Sequence, residues 1–161
     1  MNHHKDALSW VLIGFTLLLV AAAAFYVVWP QLQPHVTVRV GDGVYKAEVA
    51  KTAAERAKGL SNTATLRQDQ GLLMVYEADG KWPIWMKDMN YPIDIVWMDS
   101  SKKVVHIVKN APPDSYPDEQ FSPKKDARYV LELPAGSVSQ KNISIDMQAT
   151  FDENRLEGWG K

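Results

Sequence analysis

The chain has 161 residues, 46% of them hydrophobic, with 18 Lys plus Arg against 19 Asp plus Glu. Balanced charge lacks the basic excess of a nucleic-acid binder, and the hydrophobic content excludes a disordered acidic chain. No cysteine is present, which excludes disulfides, thiolate zinc sites, iron–sulfur clusters and a cysteine nucleophile.

Residues 1–6 read as a short stub whose His3 and His4 are solvated tail residues. Ala7 to Trp29 carries no charge, and only Ser9 and Thr16 are polar. That length suffices for a single transmembrane helix, since roughly 20 apolar residues cross a hydrocarbon core of about 30 Å. Trp10 and Trp29 fence the run as interfacial aromatics, and Pro30 ends it. The competing reading is a cleaved signal peptide, with Val11 to Val20 as its apolar core and Ala21 to Ala24 as the cleavage region. The apolar run continues through Phe25 to Val28, which favours a retained anchor. Lys5 before the span and Arg39 and Lys46 after it nearly cancel as orientation signals. A short stub followed by a folded domain places that domain outside the cytoplasm.

Residues 30–43 form the exit segment and first strand, where Val36, Val38 and Val40 alternate with polar partners. Gly41-Asp42-Gly43 is a turn, and Val44 to Ala50 the returning strand of a hairpin. Thr52-Ala-Ala-Glu55 is a capping box opening a short helix, and Gly59 suits its left-handed end. Leu72 to Tyr76 reads as a buried strand closed by an Asp79-Gly80 turn. Ile84 to Met86, Ile93 to Met98 and Val104 to Val108 follow as strands, the last two paired as a hairpin. Asn110 to Pro123 is a proline-rich surface loop, and Tyr129 to Leu133 and Ile143 to Phe151 are the final strands. Residues 44–151 thus make one domain, and 152–161 a polar tail. Many short strands, frequent turns and one short helix predict a mostly β sandwich or small barrel.

The sequence has no phosphate loop, no dinucleotide fingerprint, no Gly-x-Ser-x-Gly elbow and no His-Glu-x-x-His pair. Only His35 and His106 lie in the domain, so neither a metal site nor a cofactor is expected. Trp82 to Asp99 concentrates tryptophan and methionine, either as core filler or with Trp82 and Trp85 lining a groove for an apolar or sugar ligand. Asp94 is a carboxylate in a strand apolar on both faces, and Glu132 repeats the pattern between leucines. A buried carboxylate must be paired, hydrogen-bonded or protonated. Arg56, Lys87 and Arg128 are the candidate cations. Two readings follow: a structural ion pair, or a site of perturbed carboxylates in which Asp94 and Glu132 act as acid and base in a hydrolase.

Thr52, Glu55-Arg56, Gly59-Leu60, Gly71-Leu-Leu-Met-Val-Tyr76, Trp85-Met86-Lys87, Pro92-Ile93-Asp94-Ile95 and Leu131-Glu132-Leu133-Pro-Ala-Gly136 occur in the order of one family. Across roughly residues 44–150 the sequence resembles the domain of unknown function number 192, found in bacteria and archaea. Asp88 and Met89 stand where that family commonly has Asn and Thr, and Leu73-Met74-Val75 where Met-Leu-Phe is more usual. The resemblance implies a mostly β, sandwich or jelly-roll-like domain, often exported or anchored, and brings no established activity.

The combined expectation is a membrane-anchored extracytoplasmic β-domain, a binding or accessory module of the cell envelope held in the bilayer through residues 7–29. Its partner is a small ligand or an envelope protein, not nucleic acid. Its candidate ligand or charge cluster is Arg56, Trp85, Lys87, Asp94 and Glu132.

Overall fold

The computed structural model describes residue 10, residues 13–23 and residues 35–157. The chain divides into two units, Met1–Gln33 and Pro34–Lys161. In the first, residues 13–23 are helical and present apolar side chains, with Phe15, Leu17 and Leu18 exposed. Among the described residues no helix is long and apolar enough to cross a membrane. The rest of the expected span, including Trp29 and Pro30, lies outside the described residues.

The second unit is built on β1 (His35–Val40), β2 (Gly43–Ala50), α1 (Ala53–Lys58), β3 (Gln70–Gly80), β4 (Ile93–Met98), β5 (Val104–Ala111) and β6 (Ala127–Pro134). Two single-turn helices follow, α2 (Ser137–Gln140) and α3 (Asn154–Glu157). The β1–β2 hairpin forms as its alternation requires, with the three valines of β1 buried and His35, Thr37 and Arg39 exposed. Thr52 caps α1: its hydroxyl accepts from the Glu55 amide at 3.1 Å, and Glu55 accepts from the Thr52 amide at 2.8 Å. The amides of Thr52 and Lys51, both donating to Glu55 Oε2, hold its carboxyl below its ordinary range. Because β2 and β3 run parallel, they need a crossover, and α1 with the loop after it supplies one.

The six strands form one mixed sheet in the order β1-β2-β3-β6-β4-β5. The mostly β architecture expected of a sandwich or small barrel is present, in the form of one mixed sheet covered on both faces. Flat, its edge strands would stand about 24 Å apart, at about 4.8 Å per strand gap. Instead, the Ala149 amide donates to Lys102 O, next to β5, while the adjoining Thr150 exchanges two 2.9 Å bonds with Arg39 of β1. The sheet curls until one segment bridges both edges, so the predicted strand Ile143 to Phe151 is reduced to isolated bridges.

One core cluster fills the inside of the curl, from Val36, Val38, Tyr45 and Leu73 to Leu131, Leu133, Val138 and Phe151. The other, including Leu60, Leu72, Met74, Ile84, Met86, Ile95 and Trp97, lies on the outer face under the loops. Among the described residues every core residue falls between Val36 and Leu156, so the second unit carries a core of its own. Two local expectations change. Asp79-Gly80 is not a turn: β3 passes a bulge after Val75 and pairs Gly80 with Ala127. Ile84 to Met86 makes one bridge, to Phe121, rather than a strand.

Candidate functional site

The β4–β6 register decides what the two buried carboxylates can do. Asp94 opposes Leu133, and Ile95 opposes Glu132. Directly opposed residues share a face and successive residues alternate, so Asp94 points into the curl and Glu132 out of it. The proposed acid/base pair is thus split by the sheet.

Asp94 is fully buried and pairs with neither Arg56 nor Lys87. Its two oxygens accept backbone amides, from Asn110 at 2.9 Å and from Val138 at 2.8 Å. Val138 lies in the first turn of α2, whose cap residue is Gly136, in the left-handed region at φ 86°. A glycine there has no side chain to cap the turn, and Asp94 supplies the missing acceptor from the neighbouring strand. The Pro-Ile-Asp and Leu-Pro-Ala-Gly motifs are therefore two halves of one structural joint.

Glu132 has 3% exposure and, among the described residues, no side-chain hydrogen bond or ion pair. It lines a cavity of ≈ 270 Å³ on the outer face, together with Arg56, Lys58, Gly59, Leu60, Met74, Tyr76, Trp85 and Met89 among others. Burial alone pushes its carboxyl up to about 8, so it is mostly protonated at neutral pH. The strand β3 delivers Met74 and Tyr76 to the same face, because Leu72 opposes Glu132 and alternate residues follow it. Gly59 brings the end of α1 in close. Its φ of 50° and ψ of −132° exclude ordinary side chains, and a Cβ there would lie 3.9 Å from Glu132 Oε2.

Arg56 forms one wall. Its guanidinium donates to Lys51 O and, at 2.9 Å, to Val75 O, and it lies 4.6 Å over the Tyr76 ring. Trp82 stacks on the same tyrosine at 4.2 Å and lines a neighbouring depression, not this cavity. Trp85 stands at the mouth, 42% exposed and edge-on to Tyr116. Lys87 is exposed and does not line the cavity; its carbonyl accepts from Ser61, and that of Asp88 from the Asn62 amide, stitching residues 84–90 to the loop after α1. Arg128 pairs with Asp79 at 2.7 Å on the surface. Of the five expected cluster residues, Arg56, Trp85 and Glu132 converge, while Lys87 and Asp94 do not. Met74, Tyr76, Gly59 and Met89 complete the cavity. The even spacing of Leu72, Met74 and Tyr76 is the sequence signal that places two of them on one face. Among the described residues no three of His, Asp and Glu gather as a metal would require.

Curled mixed sheet, parallel crossover through a capped helical turn and outer-face cavity define a mostly β domain with a single buried acid facing open space. The chain belongs to the DUF192 family, described as an uncharacterized ACR, whose pattern matches residues 36–151. It is 29% identical over 100 residues to a "UPF0127 protein" from Thermococcus sibiricus, a match spanning 62% of each chain. A crystal structure of a protein of unknown function from Novosphingobium aromaticivorans aligns with a TM-score of 0.66 at 26% identity, covering 72% of this chain and 83% of that one. A Sinorhizobium meliloti protein, named as a candidate transcription regulator, shares the fold with a TM-score of 0.69 at 24% identity, over 73% and 93% of the two chains.

Proposed function

We propose that this protein is a membrane-tethered, extracytoplasmic binding module that holds a small, mostly apolar ligand in the cavity beside Glu132. The observation that carries this reading is Glu132 itself: a buried acid with no partner among the described residues, beside an open cavity with walls of Met74, Leu60, Tyr76 and Trp85. Apolar, concave walls with a few converging polar groups are the usual make-up of a small-ligand site. A paired-carboxylate hydrolase loses its second group to the far side of the sheet, so binding is the better-supported role.

Tethering rests on the uncharged run from Ala7 to Trp29 and on the exposed apolar side chains of residues 13–23. The full chain is expected to stay with membranes through a high-pH carbonate wash, with the C-terminal domain open to protease added outside the cell. Release of a soluble form starting near Phe25 would refute the anchor. For the cavity, hexanol titrated into residues 34–161 is expected to shift the amide resonance of Gly59 and the indole resonance of Trp85 saturably. If neither hexanol nor hexanoate moves the two resonances, or both move surface residues indiscriminately, the binding role is refuted.

A further inference from the structure

The charges around the cavity identify the head group of its ligand, an inference that rests on the binding role proposed above. Arg56 and Lys58 bring two cations to its wall from α1, and among the described residues Glu132 from β6 is the one carboxyl lining it. Arg56 has no carboxylate within ion-pair distance among the described residues. One of its nitrogens serves Lys51 O and Val75 O, which fixes the guanidinium without using its remaining N–H groups. A held guanidinium with free donors is suited to a planar oxyanion, which it can grip through two parallel bonds. Glu132 in its protonated form adds an O–H donor where an ionised neighbour would repel an anion. The rest of the lining carries no charge: Met74, Leu60, Ile84, Met89 and Trp85 offer apolar contact, and Ser61, Tyr76 and Gln120 are neutral polar groups.

We propose that the ligand is a small monocarboxylate with an apolar body, its carboxylate held by Arg56 and the Glu132 carboxyl and its tail against Met74, Leu60 and Trp85. The cavity of ≈ 270 Å³ admits a body of this kind, being several times the roughly 30 Å³ share of a water molecule. An ammonium ligand fits less well, since it would enter beside two cations and would have to ionise Glu132 against its burial.

Four probes matched in apolar bulk test this on residues 34–161: hexanoate, N-acetylleucine, hexanol and hexylammonium, followed by the Gly59 and Trp85 resonances. Hexanoate or N-acetylleucine should bind at least tenfold tighter than hexanol and hexylammonium at pH 7. Whichever of the two wins separates a free acid from the C-terminus of a peptide. Lengthening the alkyl acid by one methylene should gain roughly fourfold, the equivalent of about 0.8 kcal/mol per buried methylene. Raising the pH from 7 to 9 ionises Glu132 and should weaken carboxylate binding severalfold in wild type but not in Glu132→Gln. Burial raises the nearby Tyr76 and Tyr91 further above their ordinary range, so neither tyrosine titrates in this interval. Arg56→Gln should cost about tenfold for hexanoate and little for hexanol; should that variant fail to fold, Lys58→Gln at the exposed rim should still reduce hexanoate binding. Hexylammonium equal to or tighter than hexanoate, or hexanoate no better than hexanol, would overturn the carboxylate assignment while leaving a binding cavity in place. Binding by none of the four would overturn both readings.

Discussion

Replacing Glu132 with glutamine removes an ionisable group while keeping its shape, and the consequence for stability can be worked out with its sign. Burial raises the folded carboxyl from 4.5 to about 8. The native state therefore holds the proton more tightly than the unfolded chain does. Stability from this group is fully present below about pH 4.5 and is lost as the pH rises through about 8. At about 1.4 kcal/mol for each unit of difference, the ceiling is on the order of 5 kcal/mol across that window. Water in the open cavity solvates the carboxylate and brings the measured loss below that ceiling. Urea midpoints at pH 5, 7 and 9 on residues 34–161 test it. With a slope of roughly 1–3 kcal/mol per M, wild type should lose on the order of 1 M or more in midpoint relative to Glu132→Gln between pH 5 and 9. His106, which burial pushes below its ordinary range, titrates at the acid end and is common to both proteins, so it cancels. Parallel curves for the two proteins would show that Glu132 is solvated or paired, and the account of the cavity would fail with it.

Substitutions at three further positions probe the frame around the cavity. Thr52→Ala removes the acceptor for the Glu55 amide and should cost about 1 kcal/mol in chemical denaturation; a silent variant would mean that the capping box does not hold α1. Gly59→Ala forces a side chain into backbone at φ 50°, and should cost about 1–3 kcal/mol as well as perturbing the Glu132 neighbourhood, read as a lower melting temperature and altered probe binding. Asp94→Asn retains one acceptor but turns an NH₂ toward the second amide, so it should lose on the order of 2–4 kcal/mol, and Asp94→Ala at least as much. Melts of both at or above wild type would contradict the joint with α2.

The features legible in the sequence are those fixed by neighbours along the chain. The valine alternation of β1, the β4–β5 hairpin, the Thr52–Glu55 box and the stop at Gly59 all depend on contacts between near neighbours along the chain. The strand order is another matter. β6 enters between β3 and β4, and nothing local in Tyr129 to Leu133 distinguishes a central strand from any other buried one. Curvature was equally hidden. Ile143 to Phe151 has strand-like composition, yet adjoining residues there bond to opposite edges of the sheet, so no continuous ladder can form. Trp82 to Asp99 divides between both expectations: Met86, Trp97 and Met98 fill the core, whereas Trp85 stands at the cavity mouth.

The two carboxylates show why a site is harder to read than a fold. Asp94 and Glu132 look alike in sequence, each a lone acid in a buried strand, and composition alone makes them partners. Their separation depends on the parity of one strand register, since a slip by one residue would have put both on the same face. Their energetics diverge for a second reason. Asp94 finds its partners among backbone amides, which every residue but proline carries and which no pattern of cations in the sequence can announce. Among the described residues Glu132 finds none, because the outer face around it is covered largely by apolar side chains. Folding satisfies the first acid and leaves the second with its burial cost unrelieved. A protonated acid beside open space is a group that a ligand can satisfy, and for that reason the proposed ligand site keeps Glu132 of the two candidates and leaves out Asp94.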